Sequence, residues 1–401
     1  MTQDRKDSTA GRSRLIRLVG VVGSVATLAV AASACSPSES DGGSGGSGGS
    51  GLSGTIDVLS IQDLTGPVGS VGIATQNGMK LAEKQINDSG MLGEAKLKIS
   101  YEDTETKGDQ AVSLMSSAVS TDVTAIFGPV SSQEAVAVAP IGQSAKIPTI
   151  FTQAGSKGVV DAGDHVFRVT APQAYYQPKM ARYLKAQGIK TVSFIYDSTV
   201  PTTKDVTEKT LPPLLQENGI TIKGSYGFQL GTTDYSAYVS KVVGEKPDAV
   251  GVEGTNPEVS PIISSLRNAG YEGLVFGGTS FGAASLAAAG PLAKGVVWAT
   301  DFDPRSDFPQ TVKFVADFKA MFKSDPVNYA AEGFDAVYLL AYGLKNANST
   351  DRAKVQAGMV QATKDGYDGA LGPLKFEGND LRQDGYLQTY DGTAVQSVES
   401  S

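Results

Sequence analysis

The chain has 401 residues, of which 40% are hydrophobic, and 34 Lys and Arg against 42 Asp and Glu give a net charge of −8. That balance argues against nucleic acid or an anionic membrane surface as partner. One Cys and one His exclude both an intrachain disulfide and a Cys/His metal centre, so stability must come from a large core.

Residues 1–34 read as an export signal. Arg5, Lys6, Arg12, Arg14 and Arg17 make a basic start, and residues 18–34 are uncharged and rich in Val, Ala and Gly. No Arg-Arg pair is present, which favours the general secretory route over the twin-arginine one. The run ends Ala32-Ser33-Ala34-Cys35 and resembles a bacterial lipobox, although Ala32 stands where Leu is usual. The resemblance implies that Cys35 is acylated and becomes the mature N-terminus. Residues 35–54 are a Gly/Ser-rich tether with no apolar surface to bury. Gly42-Gly-Ser44-Gly-Gly46 matches a nucleophile elbow in form, but no strand precedes it and no helix follows. Removing residues 1–34 takes away five basic and two acidic residues, so the mature chain carries 29 − 40 = −11.

From Thr55 onward strand and helix alternate. Strands are expected at 56–61, 97–101, 124–127 and 149–151, and helices at 73–87, 109–120 and 133–144. Such alternation predicts a parallel sheet with helices on both faces and a ligand beyond the carboxyl ends of its strands. At the end of the third strand, Gly128 and Pro129 break the chain, and Ser131 or Ser132 can cap the next helix. Free backbone N–H groups and the helix dipole make such a turn an anion site. No Lys follows in P-loop spacing, so a small carboxylate is the expected anion. The stretch Pro148-Thr-Ile-Phe-Thr-Gln-Ala-Gly-Ser156 repeats the logic at the next strand. A second alternation follows, with strands at 191–196, 221–226, 248–252, 274–277 and 296–299. Its helices are expected at 205–216, 235–243, 257–268 and 283–289, the first kinked or ended by Pro212-Pro213. Helices at 310–322, 329–346 and 351–363 precede a short β-like tail. With about 345 residues after the tether, two lobes are expected. His165 reads as structural and Trp298 as core or hinge packing, so no enzyme is expected.

Several motifs then align in order. They are Asp63-Leu-Thr-Gly-Pro-Val-Gly, Gly78-Met-Lys-Leu-Ala, Ile86-Asn-Asp-Ser-Gly, Tyr101-Glu-Asp-Thr and Phe127-Gly-Pro-Val-Ser-Ser. Gly231-Thr-Thr-Asp-Tyr-Ser, Lys246-Pro-Asp-Ala-Val and Tyr329-Ala-Ala-Glu-Gly-Phe-Asp-Ala-Val-Tyr close the set. Over residues 55–391 the chain resembles type I periplasmic binding proteins, in particular the branched-chain amino-acid-binding receptors of ABC transporters.

The resemblance implies two doubly wound α/β lobes joined by three crossovers, near 170–172, 300–303 and 369–373, with a ligand cleft between them. Lobe one would be 55–171 plus 302–369, and lobe two 172–301 plus 370–391. The implied role is a lipid-anchored receptor at the outer face of a bacterial cytoplasmic membrane. It would have no cofactor and would pass an amino acid or related carboxylate to ABC permease and ATPase subunits. A sensory lipoprotein of the same fold, with a non-amino-acid carboxylate ligand, is the alternative. Residue by residue, Ser132, with Ser131 beside it, matches the serine that holds the ligand carboxylate. Gly155 and Ser156 match its second-turn partners, and Val71 matches a wall position. The second lobe departs from the family pattern. Pro201 and Thr255 stand where aromatics are usual, and Thr279 stands where an acid binds the ligand ammonium. An ammonium buried without a carboxylate would be costly. Glu253 is therefore the first candidate for that role and Asp301 the second.

Overall fold

The computed structural model describes residues 52–156 and 158–398. The export signal, Cys35 and all but the last three residues of the tether lie outside the described residues. Among the described residues fifteen strands form two sheets. In chain order they are β1 (Thr55–Gln62), β2 (Lys96–Asp103), β3 (Ile126–Phe127), β4 (Thr149–Phe151), β5 (Val166–Arg168), β6 (Thr191–Asp197), β7 (Thr221–Phe228) and β8 (Ala249–Glu253). Then come β9 (Leu274–Gly277), β10 (Val297–Thr300), β11 (Tyr367–Gly369), β12 (Gly372–Glu377), β13 (Asp380–Arg382), β14 (Tyr386–Tyr390) and β15 (Val395–Ser397). The first sheet has the order β11-β12-β13-β5-β4-β3-β1-β2, and the second β15-β14-β10-β9-β8-β6-β7.

The central strands of both sheets pair in parallel and are covered on both faces, as their continuous apolar runs require. In the first lobe one face packs Met79, Leu81, Phe314, Leu339 and Leu340, and the other packs Met115, Ala135, Val138 and Phe151. The second sheet lies between a cluster around Ile263, Leu266 and Trp298 and one around Met180, Leu184 and Leu215. The long helices Gly69–Ser89 and Asn328–Ala347 cross almost backbone to backbone. A Cβ at Gly78 would stand 1.9 Å from the Ala330 carbonyl oxygen, and one at Gly333 2.4 Å from that of Thr75, so neither position admits a side chain.

Two features of the fold differ from the sequence reading and one agrees with it. The helix Gln177–Ala186 and strand β5 were not expected. The prolines do mark a break in the α pattern, as expected: the run 201–217 is helical throughout, but a π turn over Val206–Thr210 interrupts it directly before Pro212 and Pro213, which have no N–H to give to an α ladder. The third crossing of the chain falls between Arg382 and Tyr386 rather than at 369–373, because β12 and β13 extend the first sheet.

The extension has an electrostatic anchor. Arg168, 4% exposed, donates from Nε and Nη2 to the two carboxylate oxygens of Asp380, each at 2.7 Å. Removing one partner of such a buried pair leaves the other charge uncompensated. Asp380→Ala is expected to cost about 3 kcal/mol, which a urea titration followed by circular dichroism would measure.

Candidate functional site

The carboxyl ends of the two sheets face one cleft. Strand β3 stops at Gly128, where a Cβ would meet the Phe151 ring at 2.1 Å. Gln62 Nε2 donates to the Gly128 carbonyl at 2.8 Å. Asp63 Oδ2 accepts from the backbone N–H of Val130 and of Ser131, at 3.1 and 3.3 Å. These two N–H groups, expected to be free for an anion, are therefore already claimed within the protein. The helix Ser132–Ser144 makes its first backbone bond from Ala135 N to the Ser131 carbonyl. The N–H groups of Ser132, Gln133 and Glu134 thus have no intrahelical partner, and the positive end of the helix points into the cleft. Ser131 is the N-cap residue but makes no side-chain cap bond.

The second turn is held from behind. Arg168 Nη1 donates to the carbonyls of Ala154 and Ser156 at 3.0 and 2.9 Å, so the pair with Asp380 also shapes this turn. Ser156 N donates to Ser132 Oγ at 3.4 Å. Gln153 has φ 51° and turns its side chain across the cleft, where Nε2 donates to Thr279 Oγ1 at 3.1 Å.

From the second lobe, the loop after β6 is fixed by Asp197. Its Oδ1 accepts from Thr199 N at 2.7 Å and from Val200 N at 3.2 Å. The loop presents Pro201 and Thr202 to the first-lobe turns. Thr255 caps the helix Asn256–Asn268, its N–H donating to Glu258 Oε2 at 2.7 Å. Thr279 is occupied twice, by Gln153 at its hydroxyl and by Tyr329 OH at its carbonyl, the latter at 3.0 Å. Tyr329, on the first-lobe helix Asn328–Ala347, also has its hydroxyl 2.8 Å from Asn256 Oδ1, so its single proton is shared between the two acceptors.

The cavity between these walls leaves about 150 Å³ for the centres of water-sized molecules. That is room for roughly ten waters, the scale of a small metabolite. Val71, Ser131, Ser132, Thr255, Thr279 and Glu253 line it. Val71 packs with Val130 and Tyr329 into an apolar patch of the wall. Gly155 and Ser156, expected to hold the ligand directly, are not on the wall; Thr202 stands in front of them. A Cβ at Gly155 would lie 3.6 Å from Thr202 Cγ2. Thr202, Gln153, Gln173 and Tyr329 line the cavity and were missed as site residues by the sequence reading. The available signal was position alone, since Thr202 and Gln153 follow strand ends as the expected residues do.

Among the described residues two acids line this cavity, Glu134 beside the start of the helix Ser132–Ser144, its carboxyl pushed up to about 9 by burial and the neighbouring Asp63, and, in the second lobe, Glu253. Glu253 ends β8, is 2% exposed, and its Oε1 has no hydrogen-bond partner among the described residues. Burial pushes its carboxyl up to about 8. Gly278 keeps the carboxyl open, since a Cβ there would sit 3.1 Å from both Glu253 Oε2 and Gln173 Oε1. Asp301, the second candidate, does not line the cavity. It is fully buried at the crossing and accepts from Thr170 Oγ1 at 3.0 Å. Burial raises its carboxyl to about 6. His165 pairs with Asp164 at 2.8 Å away from the cleft wall, and Trp298 lies in the second-lobe core against Phe281. Among the described residues no cluster of His, Cys, Asp and Glu could hold a metal ion.

Residues 55–394 match the family described as periplasmic binding protein. A leucine-, isoleucine-, valine-, threonine- and alanine-binding protein of Pseudomonas aeruginosa is 23% identical over 336 residues, 83% of this chain and 87% of the relative. A Leu/Ile/Val-binding protein of Rhizobium johnstonii is 26% identical over 345 residues, covering 84% and 92%. In structure the chain is similar to a leucine-binding protein of Thermotoga maritima, with a TM-score of 0.78, 24% identity, and coverage of 86% and 98%. A solute-binding protein of an R. palustris ABC transporter in complex with benzoate also gives 0.78, at 20% identity and coverage of 86% and 95%.

Proposed function

Because the chain belongs to the periplasmic binding protein family, we propose that it is an extracytoplasmic receptor that captures a small amino acid and delivers it to an ABC importer. A lipid on Cys35 tethers it to the outer face of the cytoplasmic membrane. The observation that carries the ligand assignment is the pair of ends offered by the cleft. One end is the start of the helix Ser132–Ser144, with Ser132 and unclaimed backbone donors, which suits a carboxylate. The other end is Glu253, buried with an unpartnered oxygen, which suits an ammonium. The apolar wall of Val71, Val130 and Tyr329 suits an aliphatic side chain, as the relatives named for leucine, isoleucine and valine also suggest. Closure is a hinge motion about the three crossings, after which Tyr329 and Gln153 bond across the lobes.

A second reading also has an observation behind it. With its carboxyl raised to about 8, Glu253 is protonated at neutral pH in the ligand-free protein and can donate a hydrogen bond. A keto acid or aromatic acid could accept it. A thermal-shift screen separates the two readings, because a ligand in excess over its dissociation constant stabilises the folded state. Leucine, isoleucine and valine should raise the melting midpoint, and their keto-acid analogues and benzoate should not. The reverse result selects the second reading. Shifts only with sugars or other uncharged solutes would dismiss a carboxylate ligand altogether.

Ser132→Ala is expected to weaken binding of the winning ligand by about 1–3 kcal/mol, the range for a lost hydrogen bond to a charged group. Calorimetry gives the value directly, and unchanged affinity would return Ser132 to the role of a helix-start residue.

A further inference from the structure

We infer that Thr202 is the second hydroxyl of the carboxylate grip and the residue that makes lobe closure selective for acids over their uncharged analogues. The inference rests on the carboxylate reading above. Thr202 Oγ1 lies 2.7 Å from Ser132 Oγ and 3.4 Å from Ser156 Oγ, so three hydroxyls from three separate chain segments meet at one point. Thr202 belongs to the second lobe and the two serines to the first. A hydroxyl can rotate its proton to donate or accept without moving a heavy atom. A carboxylate at the helix start therefore finds Ser132 and Thr202 beside each other, one on each lobe, and can take both protons once it replaces their mutual bond. An uncharged amide in the same place offers its own N–H groups to that surface and only one good acceptor.

The surrounding residues place Thr202 with little freedom. Asp197 Oδ1 ties down Thr199 and Val200 just before it, and Thr203 Oγ1 donates to the Val200 carbonyl at 2.9 Å. The Thr202 methyl lies toward Gly155, 3.6 Å from where a Cβ on that residue would stand. A β-branched side chain with its methyl seated holds its hydroxyl in one direction. Ser156 lies behind this hydroxyl and off the cavity wall, and its N–H steadies Ser132. It is a positioning residue here. Since Thr202 arrives only when the lobes meet, its bond to the ligand is made only in the closed state. Acid recognition and closure are then one event.

The test compares acids with their amides by calorimetry on wild type, Thr202→Val, Thr202→Ser and Ser156→Ala. The probes are leucine against leucinamide and benzoate against benzamide. Thr202→Val keeps the shape and removes the hydroxyl. It should lower acid affinity by about ten- to hundredfold and amide affinity by clearly less, so that the acid-over-amide ratio falls. Thr202→Ser should stay within about threefold of wild type for both. Thr202→Ala is the second variant should the valine protein fold poorly, and it should show the same loss. A wild-type acid preference retained in both hydroxyl-free variants overturns the inference and leaves the receptor reading standing. So does loss of the preference in Ser156→Ala alone. If neither acid binds wild type, the carboxylate reading falls and takes the inference with it.

Discussion

Glu253→Gln is expected to reduce affinity for an amino-acid ligand by about a hundredfold or more, as when one partner of a buried charge pair is truncated. It is also expected to flatten the pH dependence of binding. In the free protein Glu253 holds its proton up to about 8, because burial penalises the carboxylate. An ammonium beside it stabilises the carboxylate and pulls the value down. Binding below pH 8 therefore expels a proton. Wild-type affinity should fall about tenfold for each pH unit below that value, and level off above it. Calorimetry in two buffers of different ionisation enthalpy measures the released proton, and the amide variant should release none through this group. An affinity of the wild type that stays flat between pH 6 and 8 would mean that no ammonium sits at Glu253.

The ligand-free protein should show the opposite slope. The folded state holds the Glu253 proton up to about 8, while an unfolded glutamate releases it near 4.5. Between those values folding takes up a proton, so this group lowers stability as pH rises through the window. Glu253→Gln should remove that part of the slope. Melting midpoints of both proteins across the window, without ligand, would check the sign.

Cys35→Ser is expected to move the protein from the membrane fraction to the medium, or to leave it as an uncleaved precursor. The residue follows an uncharged run that ends in small side chains, and it is the one cysteine of the chain. Buried acyl carbons contribute about 0.8 kcal/mol each, so the change in partitioning should be close to complete. Electrostatics would not substitute for such a lipid, because residues 35–401 carry 29 − 40 = −11. Fractionation of cells expressing each form, with detergent controls, reads the result. Unchanged detergent-dependent association of the variant would refute the tether.

The sequence by itself was enough for the two alternating α/β halves and for the strand ends that open on the cleft. Those features depend on local signals: apolar runs such as Val192–Ile195, glycines at turns, and helix-start residues such as Ser132 and Thr255. It also singled out Glu253, because a charged residue closing an apolar strand is visible in one dimension. Tertiary structure decided what those residues face. Thr202 and Ser132 are seventy positions apart and meet only because two lobes close on each other. The same closure puts Ser156 behind the wall and gives Thr279 to Gln153 and Tyr329. Glu253 ends β8 and Asp301 follows β10, and burial alone does not separate them. Thr170 takes one into the hinge, and Gly278 leaves the other open to the cleft. The last crossing was equally out of reach, since β13 is three residues long and joins the first sheet through a bidentate pair between residues 212 positions apart. Pattern reports what a segment buries. It does not report which distant segment arrives to be buried against.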